Sequence, residues 1–308
     1  MRRRTALGLI GAAVTAGLAG ATRAAPKPEG HTQPVALDID VNGRARTAWA
    51  AFGPAPDSSR PAPLVIGFHG GAGNAEGYIS NSQLLAKGTQ AGFVVVCPQG
   101  TPIQLRLPGD HRVWNSGPEY EAASGGADDV LFARQLIAEA GKIHAIDPAR
   151  IFLTGFSNGA QMAYRLALEL SNRIAAIAPM SGGRLAGGER PSRPVPVMHF
   201  HGAADSVYPF AGGLGAHSLG RTPHAPIEQV IREWVAFDQA SPTPEVQAHG
   251  GWELQHHGGP AAVDLLLVSG MGHQIAGGGD NHLPDQALSP APDAVAMALK
   301  FFADQALS

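Results

Sequence analysis

The pentapeptide Gly155-Phe156-Ser157-Asn158-Gly159 holds a serine hydroxyl between two glycines in the spacing G-x-S-x-G. Such a hydroxyl serves as a nucleophile when a sharp strand-to-helix turn lifts it clear of the backbone. Neighbouring chain then passes so close that a Cβ at 155 or 159 would clash, which is why both positions call for glycine. The flanks fit that geometry. Residues 150–154 form a short apolar run that reads as a buried strand, and residues 160–170 carry helical spacing. In a chain with 40 glycines the pentapeptide alone carries little weight, so the flanking elements are what give it meaning.

A serine hydroxyl is a weak nucleophile at neutral pH and needs a base, and the base needs an orienting carboxylate. Downstream, residues 195–201 read as a buried strand, followed by Gly202-Ala203-Ala204-Asp205. Asp205 then stands just past the carboxyl end of its strand, where open α/β sheets place their ligands. Residues 265–268 read as another strand, followed by Ser269-Gly270-Met271-Gly272-His273. With 13 histidines present, His273 stands out only because it follows the last strand. Its competitors are His256 and His257, which read as preceding a strand, and His282, which lies in a polar loop. The order Ser157, Asp205, His273 is that of the α/β-hydrolase arrangement. A developing oxyanion needs backbone N–H donors. Asn158 would supply one at a helix start, and the glycine loop 68–74, through Gly70 and Gly71, a second. No Gly-Lys-Ser/Thr follows that loop, which argues against a phosphate cradle.

No cofactor and no metal is expected. The chain has no H-E-x-x-H. His199 and His201 alternate on a strand and share a face, and are read as packing and loop-bonding residues. Asp128 and Asp129 read as caps that compensate a helix dipole. Cys97, the single cysteine, lies in an apolar run and reads as a small core residue.

These groups need a scaffold, and the chain alternates strand-like and helix-like stretches throughout. Residues 34–41 and 45–52 read as a hairpin closed by Asn42-Gly43. Strands are expected at 63–68, 93–97, 150–155, 173–179, 195–201 and 262–268, and helices at 76–91, 127–145, 160–170, 227–240 and 293–305. The alternation predicts an α/β fold, a mostly parallel twisted sheet with helices on both faces and the antiparallel hairpin at one edge. Loops 101–126 and 210–226 are long and are expected to border the site.

The N-terminus, Met1-Arg2-Arg3-Arg4 followed by a small apolar run to Ala21, reads as a signal peptide over residues 1–24. The paired arginines suit the twin-arginine route. The apolar run falls short of the roughly 20 residues that span a bilayer, so stable membrane insertion is not expected. Residues 25–308 then form one catalytic domain, secreted or periplasmic. A net charge of −3 with 15% charged residues argues against a nucleic-acid partner.

With these motifs in place, the chain resembles the polyhydroxybutyrate depolymerase-like esterases, a group that includes feruloyl and acetylxylan esterases. The resemblance rests on Phe68-His69-Gly70-Gly71, Trp114-Asn115, Ala127-Asp128-Asp129-Val130, the Ser157 pentapeptide, His201-Gly202-Ala203-Ala204-Asp205 and Gly270-Met271-Gly272-His273. It implies an α/β-hydrolase that cleaves carboxylic esters, small or oligomeric, without a cofactor, with Ser157 as nucleophile, Asp205 as acid and His273 as base. After His273 the chain reads Gln274-Ile275-Ala276-Gly277, where the family commonly has an aromatic residue and Trp-Pro-Gly. Little chain follows the last helix, so an appended polymer-binding module is not expected and a soluble ester or oligomer is favoured. Trp114, Tyr208 and Phe156 are candidates for the substrate pocket. A serine peptidase of the same fold and a non-catalytic binding protein on the same scaffold are the alternative readings.

Overall fold

The computed structural model describes residues 34–53, 60–106, 108–184, 190–218, 222–279 and 291–307. The signal peptide read at 1–24 and His282 lie outside them.

The chain begins with β1 (Val35–Val41) and β2 (Arg44–Phe52), joined by Asn42 and Gly43. Both turn residues have positive φ (54° and 78°), as a two-residue hairpin turn matching the twist of its strands requires. Next come β3 (Ala62–Phe68), α1 (Ala75–Ser82), α2 (Leu84–Gln90) and β4 (Val94–Pro98). The single helix read at 76–91 is thus two helices, broken at Gln83, whose φ of 56° is left-handed. The long loop that follows contains a small ribbon, β5 (Thr101–Pro102) with β6 (Arg112–Val113), and the one-turn α3 (Pro118–Glu121). Then α4 (Asp129–Ile143), β7 (Ile146–Phe156), α5 (Asn158–Glu169), β8 (Ala176–Met180), β9 (Val197–Gly202), α6 (Ile227–Asp238), β10 (Glu245–His249), β11 (Trp252–His257), β12 (Val263–Val268) and α7 (Ala294–Ala303) complete the chain.

Ten strands form one sheet in the order β1-β2-β4-β3-β7-β8-β9-β12-β11-β10. The six central strands are parallel, from β4 to β12. An antiparallel pair closes each edge. The second pair, β10 and β11, was not read from the sequence. Residues 245–257 are rich in polar side chains, and β10 is exposed throughout, so no apolar run marks it. Its one signal is Gly250-Gly251 between two short alternating stretches. His256 and His257 accordingly lie within a strand rather than ahead of one.

Period-2 alternation splits the core in two. Leu64, Ile66, Val94, Val96, Ile151 and Leu153 face α4, α5 and α6, together with Phe132, Leu166 and Trp234. Val65, Val95, Cys97 and Phe152 face α1, α2 and α7, together with Leu85 and Phe302. Burial pushes the Cys97 thiol far above its ordinary range and leaves it a core residue. Among the described residues no helix is long and apolar enough to cross a membrane.

The chain runs from β3 outward to β4, then crosses back to β7 on the other flank of β3. The crevice where the order reverses lies at the carboxyl ends of β3 and β7, where doubly wound sheets bind ligands.

One core carboxyl stands apart. Asp238, at the end of α6, is fully buried; its Oδ1 accepts from the Val195 N–H at 2.8 Å and its Oδ2 has no partner. Desolvation raises its pKa from 3.8 to about 8, against the opposing hydrogen bond and Arg193. The folded chain therefore keeps a proton that the unfolded chain has lost, and stability falls as pH climbs from about 4 to about 8. Asp238→Asn removes that loss. Thermal unfolding should show its melting temperature rising relative to the parent between about pH 4 and about pH 8, with the two nearly equal only at or below about pH 4.

Candidate active site

The site grows from a backbone collision that only glycine avoids. A Cβ on Gly155 would sit 2.5 Å from the Gly159 carbonyl oxygen, and one on Gly159 would run into the Phe68 and His69 carbonyls. With β3, β7 and the start of α5 this close, the chain turns within one residue. Ser157 takes φ 55° and ψ −118°, a strained conformation for a residue with a side chain. Such a conformation costs about 1–3 kcal/mol and persists only where its surroundings impose it. Here the Ser157 N–H is tied to the Met180 carbonyl at 2.9 Å. The Ser157 side chain makes no capping bond to α5, so its hydroxyl is not spent on the helix.

The loop after β3 lies across this turn. A Cβ on Gly70 would stand 3.0 Å from the Phe156 ring, and one on Gly71 3.4 Å from Asn158 Cβ, so the two glycines flank Ser157. The first N–H groups of an α-helix lack intrahelical partners, which puts the Asn158 amide at the same spot. Several bonds hold the loop. Gly100 N–H donates to His69 Nε2 at 2.9 Å, so Nδ1 carries the proton and donates to the Gly70 carbonyl at 2.8 Å. Burial lowers the His69 pKa to about 4 and keeps that tautomer neutral. The Ala72 N–H and the Gly73 carbonyl pair with Arg112 at 2.8 and 3.0 Å.

Asp205 and His273 come from the ends of neighbouring strands, β9 and β12. Gly202 permits it, because a Cβ there would collide with the Met271 and Gly272 carbonyls. Asp205 Oδ1 accepts from the Val207 and Tyr208 N–H groups at 2.9 and 2.7 Å. Its Oδ2 lies 2.8 Å from His273 Nδ1. The carboxylate is wholly buried and the imidazole is 11% exposed. On its other side the His273 ring meets Phe156 at 4.7 Å between centroids, beside Ser157. Ser181 Oγ donates to the Gln274 carbonyl at 3.3 Å and ties the His273 loop to the chain beyond β8. His256 pairs instead with Asp264 at 2.6 Å. It sits on β11, four strands from β7 and so about 19 Å across the sheet.

The pocket candidates fare differently. Trp114 is fully buried. Its indole N–H donates to the His69 carbonyl at 2.9 Å, and its backbone N–H donates to the Asn158 side-chain oxygen at 2.8 Å. It braces the glycine loop from behind rather than walling a pocket. Tyr208 is 3% exposed, stacked on His224 at 3.8 Å, with its hydroxyl buried. Phe156 alone of the three is half-buried and presents surface.

Sequence reading missed several supports. The Asn158 side chain also donates to the Trp114 carbonyl and to Ser116 Oγ, clamping the long loop to the elbow. Asp128 caps α4 through Leu131 N–H, but Asp129 does more than a capping residue. It is buried, accepts from Asn115 N–H at 2.7 Å and pairs with Arg46 at 2.8 Å. Desolvation raises its pKa and Arg46 opposes the rise. Nothing in the local sequence distinguishes these two aspartates, since Arg46 comes from the first hairpin. Among the described residues no cluster of three or more His, Cys, Asp or Glu could hold a metal ion.

A family model described as "Esterase PHB depolymerase" matches residues 47–216. Feruloyl esterase B of Piromyces equi is 29% identical over 226 residues, 70% of this chain and 40% of that protein. The bifunctional acetylxylan esterase/xylanase XynS20E of Neocallimastix patriciarum is 32% identical over 165 residues, 54% of this chain and 22% of that protein. The chain thus spans well under half the length of these two relatives. Among solved structures, an acetyl xylan esterase from Aspergillus awamori superposes with a TM-score of 0.57 at 15% identity, covering 78% of this chain and 94% of that one. A thermostable esterase gives 0.55 at 14% identity, covering 89% and 63%. At these identities the structural likeness speaks to the fold, which is that of the α/β-hydrolases.

Two substitutions check the bracing. Trp114→Phe keeps an aromatic side chain but loses the indole N–H bond to the His69 carbonyl and leaves a cavity, and denaturant unfolding should show a loss of at least about 1–3 kcal/mol. Asp129→Ala leaves the buried Arg46 without its counter-ion, and should cost about 3–5 kcal/mol by the same measurement.

Proposed function

The chain belongs to the esterase PHB depolymerase family, a family of carboxylic ester hydrolases, and on that premise we propose that it is a serine esterase working through an acyl-enzyme on Ser157. The observation that carries this reading is the Asp205–His273 pair, hydrogen-bonded at 2.8 Å with its imidazole against Phe156 of the strained elbow.

Asp205 holds the proton of His273 on Nδ1, which leaves Nε2 free to accept. Nε2 takes the Ser157 proton as Oγ attacks the ester carbonyl carbon. The carbonyl oxygen gains a negative charge and is met by the N–H groups of Gly71 and Asn158, with Gly70 giving that loop its close approach. The tetrahedral intermediate collapses, the C–O bond to the alcohol breaks, and His273 returns the proton to the leaving oxygen. Water then enters, loses a proton to His273 and attacks the acyl-enzyme carbonyl. Collapse releases the acid, and the proton goes back to Ser157. Each donor is fixed before substrate arrives, because strands and glycine contacts hold the loops that carry them. Preorganised dipoles of this kind cost no rearrangement when charge develops.

The substrates are soluble or oligomeric esters, with hydroxyalkanoate oligomers and feruloyl or acetyl esters as the classes to try first. Support comes from the family match and from the names of the feruloyl and acetylxylan esterases similar to this chain. Residues 1–24 direct export, and 25–308 act as one catalytic domain outside the cytoplasm. The basic start and short apolar run support this.

The test is hydrolysis of p-nitrophenyl esters from acetate to octanoate, with feruloyl methyl ester and a 3-hydroxybutyrate oligomer alongside. Ser157→Ala should lower kcat by at least about 10³-fold and abolish labelling by a fluorophosphonate, with the unfolding midpoint preserved. A folded parent that hydrolyses only aminoacyl p-nitroanilides, or a Ser157→Ala variant as active as the parent, would overturn the reading.

A further inference from the structure

His199 and His201 alternate on β9 and so share a face, and both are wholly buried. Their rings lie edge to edge, with centroids 5.4 Å apart and planes 12° from parallel. They belong to a continuous hydrogen-bonded chain. Tyr164 Oη lies 2.9 Å from His199 Nδ1, His199 Nε2 lies 3.2 Å from His201 Nδ1, and His201 Nε2 lies 2.9 Å from the Tyr208 carbonyl oxygen. The far end also stands 3.7 Å from Asp205 Oδ2, the oxygen that binds His273.

The protons in this chain can be placed without ambiguity. A carbonyl oxygen only accepts, so His201 carries a proton on Nε2 and donates it to Tyr208. Burial depresses the pKa of both rings and keeps them neutral. His201 Nδ1 is then bare and accepts from His199 Nε2–H. His199 Nδ1 is bare in turn and accepts from the Tyr164 hydroxyl, whose pKa burial raises far above its ordinary range. Three neutral dipoles are thus aligned head to tail, with the positive end toward Asp205.

The chain's terminal partner is also informative. The Tyr208 carbonyl belongs to the turn whose Val207 and Tyr208 N–H groups hold Asp205 Oδ1. Anchoring that carbonyl on β9 fixes the turn, and with it the carboxylate rotamer that aims Oδ2 at His273. The groups facing Asp205 are therefore two backbone N–H groups, His273 and the His201 N–H, and His224 lies within electrostatic reach. Among the described residues no Lys or Arg pairs with Asp205. These described partners steady the carboxylate through dipoles, and His201 supplies one of them from the core.

We propose that His201 is a positioning residue for the catalytic acid, its tautomer fixed through His199 by the Tyr164 hydroxyl. This rests on the triad reading above. The role differs from packing, because it requires an N–H donor at the position of His201 Nε2. A glutamine side chain can put its amide N–H there, and a leucine cannot.

The experiment compares His201→Leu and His201→Gln with the parent, reading kcat and KM on a p-nitrophenyl ester and the downfield proton NMR resonance of His273 Nδ1–H bonded to Asp205. His201→Leu should lower kcat on the order of 10- to 100-fold with KM nearly unchanged, and shift or broaden the downfield resonance. His201→Gln should restore most of both. A folded His201→Leu with kcat and resonance unchanged would overturn the proposal, and so would a Gln variant as impaired as the Leu variant. Should His201→Leu fail to fold, Tyr164→Phe removes only the hydroxyl at the chain's origin. It should move the resonance and lower kcat less than His201→Leu is expected to, and no change in either would count against the proposal. A parent with no ester turnover would defeat the functional reading instead, and the resonance alone would then decide the role of His201.

Discussion

Everything at this site depends on the contact between the carboxyl end of β3 and the turn from β7 into α5. Backbone oxygens of Phe68 and His69 occupy the space where a Cβ on Gly159 would stand, and the Gly159 carbonyl does the same for Gly155. Two glycines therefore permit a strand, a strained residue and a helix to follow one another with no loop between. That single contact sets the direction of the Ser157 hydroxyl, the location of the first α5 amides and the path of the glycine loop over both. Because the contact lies where the strand order reverses, the site opens into the crevice between β3 and β7.

Around this contact the protein uses fixed dipoles in preference to free charge. His69 is a neutral link between the Gly100 amide and the Gly70 carbonyl. His199 and His201 are neutral links between Tyr164 and the turn after Asp205. Arg46 and Asp129 form a buried ion pair behind Trp114 and Asn115. A buried pair costs desolvation at both partners and adds little net stability. Its geometry suggests why it is there: it joins the first hairpin, the start of α4 and the loop that clamps Asn158.

The two long loops were expected to border the site, and the first of them does so in a specific way. It sends Trp114 inward as a brace and Ser116 to the Asn158 amide. An aromatic side chain in a long loop can be wall or support, and the sequence does not distinguish the two. The choice falls on support here because the indole N–H finds a carbonyl only in the interior. Tyr208 is enclosed for a related reason: it follows Asp205 in a turn that folds back over β9.

Much of the fold is legible along the chain because it rests on local periodicity. The continuous apolar runs of β3, β4, β7 and β8 mark strands covered on both faces, and Asn42-Gly43 marks the first hairpin. The elbow is legible because its glycines are required by a clash between near neighbours. The second hairpin is not, since an exposed edge strand carries no apolar signature. The strand order also comes only from the tertiary structure, and with it the meeting of Asp205 and His273, 68 residues apart. The same holds for the burial that makes Asp129 an anchor while Asp128 caps a helix, and for the tautomers of His199 and His201. The sequence by itself determined which residues could carry chemistry and which elements would hold them. Tertiary packing decided which side chains meet and which are stripped of water, because desolvation and hydrogen-bond direction depend on partners distant in the chain.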